Sequence, residues 1–223
     1  MTSGADFEEG SWLSDSDFDE DEFLAAWDAA EAHAVEVVRA ALAHTIGIAP
    51  PKSALAAAVD RLRAGMGAGT WPYQHMRRAA GWKPRELPAD DIELWLGATG
   101  GLISPRGETG LDSEQENTIM SLEFADWLGA IVGLVRGGLG NSARPENLVR
   151  YIDACPEVEG SVDPADSSII ESVFESVISA WQAAGALDGD RRLTAIGRWG
   201  LPRALAWAWN GDLDRPPESR ALD

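Results

Sequence analysis

Apolar residues recur along most of this chain three and four positions apart, the spacing of a helix that buries one face. The cleanest stripe is Ile170, Val173, Phe174, Val177, Ile178 and Trp181, opened by Asp163 and Pro164 and stopped by Gly185. A wider face runs through Met120, Phe124, Trp127, Leu128, Ile131, Leu134 and Val135. It follows the capping-box pair Ser113 and Glu116 and ends at Gly137, Gly138 and Gly140. This predicts the central buried helix. Leu24, Trp27, Ala34, Val38, Ala41 and Leu42 predict an earlier helix ending near Gly47 and Pro50, with Asp19, Glu20, Asp21 and Glu22 at the positive end of its dipole. Pro51 to about Arg63 should form another, with Leu55, Val59 and Leu62 on one side and Gly65, Gly67 and Gly69 as its stop.

Weaker signals fill the remainder. A short helix over Asp90 to Leu96 should precede a loop from Gly97 to Gly110 rich in Gly and Pro. Ser142 and Pro145 suit the start of a helix carrying Leu148, Val149, Ile152 and Cys155, closed by Pro156. Asp188-Gly189, between Leu187 and Leu193, is the kind of pair that supplies positive φ to a tight hairpin turn. Thr194 can cap a last helix, which Gly200 and Pro202 should bend or restart before Leu205, Trp207 and Trp209. The last two tryptophans stand two apart and cannot share a helix face, so one of them would be exposed as a contact surface. Thr70 to Pro88 has no clear period.

The sum is an all-α fold, a multi-helix bundle of about seven helices whose C-terminal part contains one small β-hairpin. Its expected organisation is an acidic, disordered tail over 1–18, a helical domain over 19–140, a helical module over 141–214 packed on the first, and a tail over 215–223.

Charge changes this picture most. Residues 1–38 carry twelve acids and no Lys or Arg, about two thirds of a formal charge of −19. Such a balance repels phosphate backbones unless cations are segregated on one face, and it favours partners with basic surfaces. One cysteine, Cys155, permits no internal disulfide and suits a reducing, cytoplasmic setting. Neither a secretory signal nor an apolar run of membrane-spanning length is expected.

The run Trp181 to Arg198, W-Q-A-A-G-A-L-D-G-D-R-R-L-T-A-I-G-R, resembles the wing region of winged-helix proteins of the MarR type. In that family a recognition helix ends at a Gly-Leu-like step, a small hairpin follows with a D-x-R tip, and L-T-x-x-G-R opens the next helix. Gly185, Leu187, Asp190, Arg192, Leu193, Thr194, Gly197 and Arg198 occupy those places, and the resemblance covers about 145–210. It implies that the helix from Asp163 to Ala184 is the recognition helix and that Asp188, Gly189, Arg191 and Arg192 form the wing. From Tyr151 to Asp190, however, the chain has nine acids and no Lys, Arg or His, while groove reading needs cations and amide side chains. That helix offers one Gln, at 182. Arg191, Arg192, Arg198 and Arg203 would remain to touch a phosphate through the wing.

Candidate chemistry is sparse. Asp15, Asp17, Asp19 and Asp21 alternate as in a calcium loop, but the glycine and the final bidentate Glu of such a loop are missing. His33 and His44, eleven apart, would lie near one helix face, yet Ala30 stands where a bundle metal site wants Glu. Gly65-x-Gly67-x-Gly69 and Gly137-Gly138-x-Gly140 lack the Lys-Ser/Thr and the preceding strand of a phosphate cradle, and they read as helix terminators. No nucleophile with its base is visible, and no metal or cofactor is expected.

Trp71, Tyr73, Arg77, Arg78, Trp82 and Lys83 form a basic-aromatic patch, the composition of a nucleic-acid platform or of a dock for acidic peptide. Its partner could be the acidic, aromatic-spiked segment Asp15, Asp17, Phe18, Asp19, Asp21 and Phe23 in the same chain. Tethering gives even weak pairing a mM-range effective concentration. The function expected is that of a non-enzymatic cytoplasmic adaptor or regulator whose acidic surface and tail bind a basic protein. A winged-helix DNA-binding regulator and an acidic nucleic-acid mimic are the alternatives. The first needs the wing arginines and the basic patch on one surface, and the second needs paired rows of carboxylates.

Overall fold

A computed structural model describes residues 48–103, 124–156 and 167–209, together with 40, 43, 122 and 162. The acidic segment with Asp15, Asp17, Phe18, Asp19, Asp21 and Phe23, both histidines of the candidate metal pair, the Ser113 capping box and the terminal tails lie outside the described residues.

Among the described residues there are seven α-helices. The first, α1, spans Lys52–Ala68 and buries Leu55, Ala58, Val59, Leu62 and Met66. It runs through Gly65 and Gly67, where a stop was expected, and ends only at Gly69, whose left-handed φ of 68° returns its N–H to the Gly65 carbonyl. Gly65 is a socket: a Cβ there would stand 2.3 Å from the Tyr73 ring. The short helix α2, Tyr73–Ala79, has one buried residue, Met76. Seven residues with a single fully buried side chain are too few to show a period, which is why no period is read over this stretch.

Helix α3, Asp91–Gly100, starts where expected, because the Asp90 carboxylate accepts from the Glu93 N–H at 2.8 Å. It then continues past Gly97 into a 3-10 turn, Gly101–Ile103, so 97–103 is buried helix and not loop. Its glycines admit neighbours: a Cβ on Gly97 would meet Trp82 at 2.3 Å, and one on Gly100 would meet the Ala204 carbonyl at 2.6 Å.

Helices α4 (Phe124–Arg136), α5 (Pro145–Asp153), α6 (Ser167–Ala183) and α7 (Ala195–Ala208) follow the apolar stripes that predict them. Trp127, Leu128, Ile131, Leu134 and Val135 make α4 a buried centre. Pro145 takes a first-turn position in α5, and Thr194 caps α7 by accepting from the Gly197 N–H. Helix α7 does not restart, since it is continuous through Pro202. Helix α5 packs on α4 and α6, and α7 packs on α3 and α4.

There is no strand among the described residues. The backbone pairs in antiparallel fashion at two isolated bridges, Ser142 with Arg192 and Leu187 with Leu193.

One apolar cluster threads all of these helices. Trp127 meets Phe174 at right angles with centroids 5.5 Å apart, and Trp95 donates its indole N–H to the Ala184 carbonyl at 2.9 Å. Each such ring, fully buried, contributes roughly 1.5–3 kcal/mol of hydrophobic stabilisation. Among the described residues no helix is long and apolar enough to cross a membrane.

Candidate functional site

Two places gather charge beside a loop. The first is the shoulder formed by α2 and the segment after it, where the six residues of the basic-aromatic patch part company. The Tyr73 ring lies against Gly65 and the Trp82 ring against Gly97, so these two aromatics are half-buried packing groups. Arg77 is half-buried with them; its Nη1 donates to the Trp82 carbonyl at 3.4 Å, and its Nε is buried without a partner. Trp71, Arg78 and Lys83 face outward, with Trp71 55% exposed. Lys83 makes a weak pair with Glu86 at 3.4 Å, in which both ends are mostly in water.

A residue the sequence pattern did not single out completes the shoulder. His75 sets its ring edge-on to Trp71, with centroids 4.3 Å apart and planes at 76°. Burial, and then the nearby Arg78 guanidinium, hold its pKa below the ordinary histidine value, and Nδ1 has no partner. His75 stands four positions after Trp71, but Trp71 precedes the helix, so helical spacing alone does not announce the pair.

The second place is the turn between α6 and α7. Asp188 organises it: its Oδ1 accepts from the N–H groups of Asp190 and Arg192, both at 2.9 Å, while Gln182 Nε2 donates to the Asp188 carbonyl. The left-handed residue of this turn is Arg191, with φ of 60°, and not Gly189. Glycine at 189 therefore does not serve the conformation expected of it. Arg191 makes a two-pronged pair with Glu175 of α6, at 2.7 and 2.5 Å, and that hydrogen bond raises the guanidinium pKa further. Arg192 donates to the Gly140 carbonyl at 3.1 Å.

The other two cations expected at the wing are elsewhere. Arg203 is buried at 6% exposure, its guanidinium 5.3 Å over Trp199 and donating to the Trp199 carbonyl. Arg198 is half-buried, and its Nε has no partner. Arg203 is thus spent inside the fold.

Beside the turn, Asn141 explains the Gly137–Gly140 run. Its Nδ2 donates to the Leu134 carbonyl at 3.0 Å, closing the end of α4, and its Oδ1 accepts from the Tyr151 hydroxyl at 3.0 Å. A Cβ on Gly137 would stand 2.0 Å from Asn141 Nδ2, so this glycine makes room for a side-chain cap and not for a phosphate. Trp207 and Trp209 are both half-buried, Trp207 beside Gly97 and Gly100, and Trp209 donating its indole N–H to the Ile103 carbonyl at 3.1 Å. No group of three or more potential metal ligands occurs among the described residues.

Outward on α6 stand Ser168, Ile169, Ser172 and Glu175, with Glu171, Ser176, Ser179 and Gln182 half-buried beside them. Not one of these is a cation, and of the two carboxylates Glu175 is engaged by Arg191. No family model, curated protein or solved structure matches this chain.

Proposed function

We propose that this protein is a non-enzymatic cytoplasmic adaptor or regulator in which a winged-helix-shaped end serves as a protein-binding scaffold and the acidic segment engages a basic protein surface. The observation that carries the reading is the outward face of α6. In a DNA-reading winged helix that face presents cations and amides to base edges and phosphates; here it presents serines, Ile169, Glu171 and a neutralised Glu175. The element order supports the winged-helix shape: α4, a bridge at Ser142, α5, α6, a bridge at Leu187, the Asp188–Arg191 turn, the return through Arg192 and Leu193, and α7. Its two wing arginines already hold Glu175 and the Gly140 carbonyl.

Twelve acids within residues 1–38 supply the attraction to a cationic partner, which raises encounter rate and selects against acidic surfaces. The lone, buried Cys155 suits a reducing compartment.

A mobility-shift titration with duplex DNA at ~50 mM salt tests the first half, because low salt favours any phosphate contact. No shift is expected, and a salt-dependent complex would overturn the scaffold reading. Binding to poly-arginine tests the second half. Asp15→Asn, Asp17→Asn, Asp19→Asn and Asp21→Asn together should weaken it more than four neutralisations at Asp60, Glu93, Glu171 and Asp190; equal losses would reduce the segment to bulk charge.

A further inference from the structure

We infer that the shoulder around Trp71 is a docking surface for an acidic, aromatic-bearing segment, and that its occupant is residues 15–23 of this same chain. Residues 71–85 hold Arg77, Arg78, Lys83 and Arg85 and no carboxylate, in a chain whose net charge is −19. Trp71 is the most exposed tryptophan described, at 55%, and its ring is fixed edge-on against His75 and not sunk in the core. An exposed indole beside the exposed Arg78, Lys83 and Arg85 suits a ligand that alternates carboxylates with rings.

Residues 15–23 have that chemistry: six acids, Phe18 and Phe23, and no cation. The 24 residues between Phe23 and Ile48 reach roughly 36 Å even at helical rise, about twice the radius of gyration expected for a chain of this size. The segment can therefore reach the shoulder, and the tether holds it near at a mM-range effective concentration. A nucleic-acid strand would have to enter the same surface against both the net charge and this competitor.

The inference rests on reading the acidic segment as a ligand for cationic surfaces, and it adds a regulation: an external basic partner must displace the segment from the shoulder. The affinity of that partner is then set by a competition within the chain.

The chain carries two lysines, Lys52 and Lys83, which permits a direct test on the full-length protein. A zero-length carbodiimide joins a carboxylate to a lysine amine only where the two touch. Lys52 is exposed and lies 30 residues from Glu22, while Lys83 lies 61 residues away, so tethering alone favours Lys52. Peptide mapping of the monomer should instead find residues 15–22 joined mainly to Lys83. That product should fade at ~0.5 M salt, where screening acts over about 4 Å. It should fall roughly fivefold in Arg78→Glu/Arg85→Glu, whose two sites are exposed and whose fold is checked by circular dichroism.

Three outcomes overturn the proposal: Lys52 joined as much as or more than Lys83, a Lys83 product confined to covalent dimers, or a product indifferent to the charge reversals. No partner is present in this experiment, so its failure leaves the binding of basic proteins standing, and failure on poly-arginine leaves the crosslink standing.

Discussion

The turn after α6 and the shoulder around Trp71 are both arginine-bearing loops beside a helix, yet their cations are used in opposite ways. At the turn, Arg191 grips Glu175 and Arg192 grips a backbone carbonyl, so the charge is consumed inside the fold and stiffens it. On the shoulder, Lys83 has only a weak, wet pair with Glu86, and Trp71 lies open. A count of arginines along the chain treats the two loops alike. What separates them is how firmly the fold holds them, a two-pronged pair at Arg191 against a weak, solvated one at Lys83.

The largest test of this contrast uses two glycines. A Cβ on Gly197 would stand 2.1 Å from the Ala186 carbonyl oxygen, a backbone atom fixed in the turn. Gly197→Ala should therefore cost about 3 kcal/mol in urea unfolding. The matching substitution on the shoulder side, Gly65→Ala, meets the base of the half-buried Tyr73 ring, a side chain and not fixed backbone, and gains helix propensity; its net cost should be smaller, about 2 kcal/mol. Equal losses would break the comparison.

Next comes Asp188→Ala, which removes the acceptor of two turn N–H groups. A loss of about 1 kcal/mol is expected, together with faster amide exchange at Asp190 and Arg192 and none on α2. A smaller effect, ~0.5 kcal/mol, is expected from Glu175→Gln, because the pair with Arg191 is partly exposed; its stabilisation should shrink in high salt.

The smallest effect is on the shoulder. His75 has a folded pKa below the unfolded value of 6.5, so the unfolded chain binds more protons in that range. The stability this histidine contributes is complete above pH 6.5 and is lost as pH falls through the folded value. Comparing wild type with His75→Gln between about pH 7.5 and 5.5 should show the variant with the flatter profile; parallel profiles would remove His75 from the shoulder's electrostatics.

Helices with a full apolar stripe were legible in the sequence, and so were chemical caps: α4, α5 and α6 follow their periods, and Pro145, Asp90 and Thr194 mark starts. Glycine and proline were less legible, because their meaning depends on what lies opposite. Gly65, Gly97 and Gly100 read as breaks but accept a ring or a backbone from another helix. Pro202 reads as an interruption and sits inside continuous α7. The candidate surfaces divide in the same way. Arg191 and Arg192 could be placed beside a turn from a local run, but Glu175, sixteen positions from Arg191, could not be known as the neutralising partner. Of the basic-aromatic patch, composition could not separate Tyr73 and Trp82, which face in, from Trp71, which faces out.

Trp95 belongs to α3, donates to the carbonyl of Ala184 directly after α6, and lays its ring where a Cβ of Gly200 in α7 would be, 2.2 Å away. One indole thus bolts the front of the chain to its rear. A calorimetric scan should accordingly give a single endotherm, because neither part can melt without exposing that ring.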